Sequence, residues 1–270
     1  MGNVALVETI NVRGVDLAYD IGGDGPAFVW GHGLTSSMAS EDEFGLLDFG
    51  ILRRQALVVR YDARGHGASG SSADLATYDW RELALDQLAL TTALGIDSYV
   101  AGGASMGCAT AIHATIIAPQ RIRGLLLVIP PTAWSTRAAQ QGNYELTASL
   151  VEAGEIEVLV AGSAATPPPD PLVGVAEWEQ RFERTLRTTD PVRLARILRG
   201  AAMTDLPDPQ MIATISVPVS IIAWTGDSGH PVSTAQRLAE LLPQATLTLA
   251  STTEQLRGWT AAAQSFLASI

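Results

Sequence analysis

The chain has 270 residues, 47% of them hydrophobic and 17% charged, and it carries a net charge of −11 with a pI near 4.7. This balance is typical of a folded globular protein and excludes a disordered chain. So acidic a surface would repel nucleic acids and anionic membranes, and we expect neither as a partner.

Residues 1–20 carry charges throughout and contain no apolar core of signal-peptide length. The longest apolar runs, such as residues 125–129, are far shorter than the roughly 20 residues that span a bilayer. The one cysteine, Cys108, excludes an intrachain disulfide framework and fits a reducing compartment. We therefore expect a cytoplasmic protein.

Short apolar runs alternate with amphipathic stretches, a pattern that predicts an α/β protein with a mostly parallel sheet covered by helices. A leading hairpin is expected from residues 10–12 and 17–20. The strands predicted after it are residues 27–30, 56–60, 99–101, 125–129, 219–224 and 246–249. The helices predicted between them are residues 81–94, 106–118, 233–242 and 253–267.

Residues 134–211 break this alternation and contain no convincing strand. One helix is predicted from an apolar face at Val175, Trp178, Phe182 and Leu186. A second is predicted from Asp190 as N-cap to Gly200 at its end. An all-helical insert between two strands is interpreted as a lid over the sheet. We therefore predict a core of residues 1–133 and 212–270 and a helical lid of residues 134–211.

Ser105 lies in the sequence GASMG, between a predicted strand and a predicted helix. In that context the G-x-S-x-G spacing indicates a nucleophile elbow, a sharp turn that exposes the serine hydroxyl. The start of the following helix offers unpaired amides and a positive dipole, which suit an oxyanion. The alternative is a tight structural turn.

Two further motifs follow strands: VWGHGLT at residues 29–35 and YDARGHGAS at residues 61–69. With the serine elbow, these motifs make the chain resemble the α/β-hydrolase superfamily, specifically its small lidded esterase-like members. The resemblance extends over nearly the whole chain. It implies the α/β-hydrolase fold: a mostly parallel eight-stranded sheet flanked by helices, with an all-helical lid inserted.

The resemblance also implies roles for particular residues. The backbone amides of Leu34 and Met106 would form the oxyanion hole, and two such donors commonly contribute about 3 kcal/mol each in acyl transfer. His32 and His66 would be structural. We expect the same of His113, which lies two turns into the helix after the elbow.

The acid is assigned to Asp227, because Thr225-Gly226-Asp227 follows the penultimate strand as the acid loop of the family does. Some relatives carry the acid one strand earlier, but residues 129–132, IPPT, offer no carboxylate there. The alternative for Asp227 is a residue that caps its own loop.

The base departs from the family, in which the catalytic histidine follows the last strand. Here residues 250–259, ASTTEQLRGW, contain no histidine and are short for the family. His230 follows Asp227 by three residues, and a gap of about 10 Å separates the acid strand from the nucleophile strand. We therefore predict His230 as the base, oriented by Asp227. The alternatives are His230 as a structural or substrate-contacting loop residue, and Glu254, a poor base unless burial raises its pKa.

Three functions remain open. The first is a serine hydrolase, without cofactor or metal, that acts on a small hydrophobic ester, lactone or thioester. Its apolar pocket is predicted from Met38, Trp134, Trp178 and Phe182, which equally fit packing between lid and core. The second is a degenerate hydrolase fold that binds a small ligand or a partner. The third is a cofactor-free lyase, cyclase or carbon–carbon hydrolase that uses the same oxyanion hole.

Overall fold

A computed structural model of the protein describes residues 7–270, apart from the side chains of residues 176, 177 and 179. In that range eight strands form one sheet: β1 (Glu8–Val12), β2 (Val15–Gly22), β3 (Ala27–Gly31), β4 (Leu57–Tyr61), β5 (Tyr99–Ala104), β6 (Ile122–Val128), β7 (Val219–Trp224) and β8 (Ala245–Ala250). The strand order is β1-β2-β4-β3-β5-β6-β7-β8. β2 is antiparallel to both neighbours and the other pairings are parallel, which confirms the predicted sheet.

The helices within the described residues flank this sheet or lie between β6 and β7. They are α1 (Met38–Phe44), α2 (Phe49–Leu52), α3 (Trp80–Ala93), α4 (Met106–Ile117), α5 (Arg137–Glu152), α6 (Ile156–Ala164), α7 (Ala176–Thr188), α8 (Pro191–Ala202), α9 (Pro209–Ile212), α10 (Val232–Leu241), α11 (Thr253–Arg257) and α12 (Trp259–Ala268). No helix among residues 7–270 has both the length and the apolar character needed to cross a membrane.

The central strands are buried because helices cover both faces of the sheet. Every residue of β5 and of β7 is buried. Side chains alternate between two clusters, so that Val29 and Ile221 pack on the side of α3, α4 and α10, whereas Phe28 and Ile222 pack on the side of α2 and α12. Full burial of such a side chain contributes about 1.5–3 kcal/mol to folding. The carboxyl ends of the parallel strands therefore form one rigid edge.

Between β6 and β7, within the described residues, the chain forms helices α5 to α9 and short 3₁₀ turns. We call residues 134–211 the helical insert. The predicted helix after Asp190 is present, and the Asp190 side chain caps it by accepting a hydrogen bond from the Arg193 amide (2.9 Å). The division of the chain into a core and a lid stays a prediction.

Three details of the helices differ from the sequence-based expectation. Helices α5 and α6 had no prediction; α5 buries only Arg137, Ala148 and Val151, too few apolar positions for a clear pattern. The helix after Asp190 does not end at Gly200, which instead lies inside α8 against Tyr78, where a Cβ would overlap the tyrosine side chain. The predicted helix 253–267 is divided at Gly258 into α11 and α12.

Candidate active site

Ser105 lies at the sharp turn from β5 into α4, with φ 53° and ψ −109°. A non-glycine residue at positive φ costs of the order of 1–3 kcal/mol, so the surrounding structure must hold it. The Ser105 amide donates to the Val128 carbonyl (3.0 Å), which ties the turn to β6. A Cβ at Gly107 would overlap the Gly31 carbonyl oxygen, so only glycine lets α4 approach β3 this closely.

His230 and Asp227 lie in the loop after β7, and both reach the serine. The His230 Nε2 atom is 2.8 Å from Ser105 Oγ, and its Nδ1 atom is 2.7 Å from Asp227 Oδ2. We call these three residues the triad. With Nδ1 protonated and donating to the carboxylate, Nε2 presents its lone pair to the serine hydroxyl. The arrangement can therefore accept the proton of Ser105 when its oxygen attacks an electrophile.

Asp227 is fixed by several donors at once. Oδ2 accepts from the Trp224 indole (2.8 Å), and Oδ1 accepts from the amides of Gly229 (2.8 Å) and His230 (3.3 Å). Burial raises the pKa of Asp227, but the neighbouring His230 and these hydrogen bonds outweigh it and lower the pKa to about 2. The carboxylate is therefore ionised at neutral pH.

Three aromatic side chains pack around Trp224, whose indole donates to Asp227. The Trp224 ring is stacked on Trp259, with centroids 5.7 Å apart, and meets Trp178 edge-to-face at 5.4 Å. It also lies edge-to-face with His230 at 6.1 Å. Because three rings contact it, the indole N–H that binds Asp227 has little freedom to turn.

The loop after β8 differs from the loop after β7 in length and in contacts. Ser251 and Thr252 alone separate β8 from α11. The Thr253 hydroxyl donates to the Pro171 carbonyl of the insert (2.8 Å), and Asp170 of the same segment accepts from the Thr225 hydroxyl (2.6 Å). The insert is thus hydrogen-bonded to the residues that follow β7 and β8. Glu254, weighed as a base from the sequence, is exposed in α11.

The other histidines bind neighbouring loops. His32 Nε2 accepts from the Ala63 amide (3.0 Å), so its Nδ1 donates to the Gly33 carbonyl (2.8 Å). His66 Nδ1 lies 2.9 Å from the Arg64 carbonyl. Burial lowers the pKa of His32 to about 4 and that of His66 to about 3. His113 Nε2 is 3.4 Å from the Asp205 carbonyl.

A cavity of about 580 Å³ borders the triad. Leu34, Trp178 and Phe182, all singled out from the sequence, line it. Leu34 lines the cavity beside Ser105, and neither its amide nor that of Met106 donates a hydrogen bond to an acceptor within residues 7–270. The Met106 side chain itself is buried.

Met38 and Trp134 do not line the cavity, contrary to the sequence-based prediction. Met38 begins α1, where its side chain is buried and its amide donates to Asp62 (2.7 Å). Trp134 donates through its indole to the Pro207 carbonyl (3.0 Å) and packs against the core. These contacts fit packing, the alternative that the sequence had left open, and the role of both residues in binding a substrate stays a prediction.

Three charged residues of the cavity wall were missed from the sequence, Glu41, Arg181 and Glu183. Arg181 follows Trp178 by three residues on α7 and precedes Phe182, so it faces in nearly the same direction as the apolar residues. That spacing was the available signal. Glu41 belongs to α1, and nothing in the sequence links it to the triad.

The strand order and a serine elbow with histidine and aspartate at the carboxyl ends of parallel strands define a class of enzymes, the hydrolases built on a nucleophile elbow. The model of the alpha/beta hydrolase family matches residues 17–258, and the chain belongs to this family.

Named relatives agree with this class. The chain is 26% identical over 243 residues to 3-oxoadipate enol-lactonase 2 of Acinetobacter baylyi, covering 89% of this chain and 86% of that protein. It is 24% identical over 224 residues to a protein of Agrobacterium fabrum named as a carbamate hydrolase, covering 80% and 82%. A solved hydrolase from Pseudomonas aeruginosa superposes with a TM-score of 0.82 at 25% identity, covering 98% and 99%. The family and these relatives identify the chain as a hydrolase.

Proposed function

We propose that the protein hydrolyses a small ester, lactone or thioester, with Ser105 as nucleophile and His230 as general base. Asp227 holds the imidazole in the tautomer that accepts the serine proton. The single observation that carries the proposal is the contact of His230 with both other residues, 2.8 Å to Ser105 Oγ and 2.7 Å to Asp227 Oδ2.

The proposed reaction begins when Ser105 Oγ attacks the substrate carbonyl and its proton passes to His230 Nε2. The negative charge that develops on the carbonyl oxygen is stabilised by the amides of Leu34 and Met106, which lack other acceptors in the described chain. Such donors are commonly worth about 3 kcal/mol each. His230 then protonates the leaving oxygen or sulfur, and an acyl group remains on Ser105.

In the second half of the reaction, water attacks the acyl-enzyme, with His230 again as base. The ionised Asp227 stabilises the imidazolium that forms in both halves without taking its proton. Release of the acid restores the serine. No step needs a group from the loop after β8, whose carboxylate, Glu254, is exposed.

We propose further that the helical insert is a lid and that it shapes the acyl site. The cavity wall takes Val160, Trp178 and Phe182 from the insert, together with the proline segment 166–169. An apolar roof of this kind excludes water and favours a small substrate with a hydrophobic acyl portion. The enol-lactonase among the relatives supports an ester or lactone carbonyl as the bond cleaved.

The proposal is tested by covalent labelling with a fluorophosphonate, which reacts only with an activated serine. We expect one adduct on Ser105 in the native protein and none in Ser105→Ala. Ser251→Ala is the matched control, because Ser251 is exposed in the loop after β8 and should not affect labelling. A native protein that stays unlabelled at high probe concentration would contradict the hydrolase proposal and favour a binding protein.

A further inference from the structure

Arg181 stands out among the arginines of α7 because its guanidinium has no ionic partner among the side chains that the structure describes. Arg184 pairs with Glu43, and Arg187 pairs with Glu157 and Glu183. Arg181 instead lies over the face of Trp178, 4.9 Å from the ring centroid. Arg181 also lines the wall of the cavity that contains Ser105 and His230.

The Arg181 guanidinium is largely withdrawn from bulk water. The side chain lines both the triad cavity and an adjoining cavity of about 270 Å³, so part of its surface stays accessible. Protein nevertheless surrounds it closely enough that burial lowers its pKa, against the opposing charge of Glu41. Withdrawing a guanidinium from bulk water is destabilising, and an anionic ligand in the cavity would offset that cost.

Glu41 is the carboxylate of the cavity wall that comes nearest to balancing this charge, and it does so incompletely. Both of its oxygens lie within hydrogen-bond distance of the Trp30 indole (3.1 and 2.9 Å), and it forms no ion pair with Arg181. Burial raises the pKa of Glu41 to about 7, with Trp30, Arg181 and Arg60 opposing the rise. Near neutral pH a large share of Glu41 is therefore protonated, and it can donate a hydrogen bond to an anion.

We propose that Arg181 binds a carboxylate carried by the substrate, so that the enzyme prefers esters or lactones of dicarboxylic acids over neutral ones. This inference rests on the proposed hydrolase function. A guanidinium fork matches a carboxylate in two parallel hydrogen bonds. One arginine beside a carboxyl group suits a singly charged anion, whereas a phosphate dianion would require more positive charge. Between the two ends, the apolar lining from Phe44, Leu46 and Phe182 would cover a short methylene chain.

The kinetic test compares monomethyl glutarate with methyl pentanoate, two esters of similar length of which only the first is anionic. We expect the native enzyme to have the higher kcat/KM on monomethyl glutarate. Arg181→Met should lower that value by roughly 10- to 100-fold, the range of a lost charge-assisted hydrogen bond, and leave methyl pentanoate within about twofold. Arg181→Lys should fall between, because it keeps the charge and loses the fork.

Arg184→Met is the matched control, because it removes the same charge from an exposed position of the same helix and should leave the ratio of the two substrates unchanged. An equal fall on both substrates in Arg181→Met would overturn the proposal, since it would mean a structural role. Unchanged kcat/KM values on both substrates would also overturn it.

A binding measurement separates this inference from the hydrolase proposal. Glutarate is titrated calorimetrically into Ser105→Ala and into Ser105→Ala with Arg181→Met, with folding checked by circular dichroism. We expect binding in the first protein and at least tenfold weaker binding in the second. Equal affinity, or no binding to either, overturns the carboxylate site. If Ser105 resists the fluorophosphonate while glutarate binding still depends on Arg181, the site stands and the hydrolase function fails.

Discussion

The loops that follow β7 and β8 leave the same edge of the sheet, yet only the first supplies groups to the triad. The loop after β7 folds back on Asp227 through the amides of Gly229 and His230 and extends the imidazole to Ser105. The loop after β8 is reduced to Ser251 and Thr252 and is bound to the insert through Thr253. In the α/β-hydrolase superfamily that the sequence resembles, the second loop carries the base.

The loop after β7 can therefore bring both a histidine and an aspartate to Ser105 without any group from the loop after β8. Strand β6 alone lies between β5 and β7. At ordinary strand spacing the turn after β5 and the loop after β7 are about 10 Å apart, a distance that an imidazole and a hydroxyl together bridge. An acid and a base three residues apart can then act from one loop.

The largest effect should come from removing the base. We expect His230→Ala to lower kcat for a p-nitrophenyl ester by about 10⁵- to 10⁶-fold, because the serine proton then has no acceptor. Glu254→Gln, at the loop where the family has its base, should leave the rate within about twofold. The comparison of the two loops fails if Glu254→Gln is the variant that loses activity.

A smaller loss should follow from changing the acid. In Asp227→Asn a neutral carboxamide replaces the carboxylate and no longer fixes the productive tautomer of His230. We expect kcat to fall by about 10⁴-fold. The serine and histidine remain present, so the variant should stay above His230→Ala. Equal activity of Asp227→Asn and the native enzyme would show that the loop after β7 needs no acid.

The same substitution should change stability in acid. The pKa of Asp227 is about 2 in the folded protein and 3.8 for an ordinary aspartate, so its ionised form stabilises the fold above pH 3.8. That contribution is lost as the pH falls from 3.8 towards 2, and it amounts to about 2 kcal/mol. Urea unfolding of Asp227→Asn should therefore show a flatter pH dependence in this window than the native protein does. The same pH dependence in the variant and the native protein would contradict a lowered pKa of Asp227.

The smallest effect should come from the loop after β8. Thr253→Val keeps the shape of the side chain and removes the hydrogen bond to the Pro171 carbonyl. We expect a loss of about 1 kcal/mol in the free energy of unfolding, measured in urea, with kcat nearly unchanged. A large fall in kcat with unchanged stability would mean that this loop contributes to catalysis after all.

Most of the fold could be predicted because its signals are local. Apolar runs marked the strands, and the G-x-S-x-G spacing marked the turn that only glycine at position 107 permits. The loop Asp227-Ser-Gly-His230 could be proposed as acid and base because strand spacing bounds the distance to Ser105.

The remaining features depend on contacts that no local pattern encodes. Helix α5 buries few apolar side chains and gives no clear period. Met38 and Trp134 are large and apolar, but which surface they cover depends on residues distant in the chain, Asp62 for the first and Pro207 for the second. Glu41 and Arg181 meet the same cavity from helices α1 and α7, far apart in sequence.

The compact Asp227–His230 loop has a consequence for how related chains are sorted. Under the proposed mechanism, β8, α11 and α12 supply packing, through Ala250, Trp259 and Ala263, and no proton acceptor. A survey that classifies members as inactive when their C-terminal histidine is missing would discard chains of this kind. A search for aspartate and histidine three residues apart, directly after the strand that lies two positions from the nucleophile strand in the sheet, would recover them.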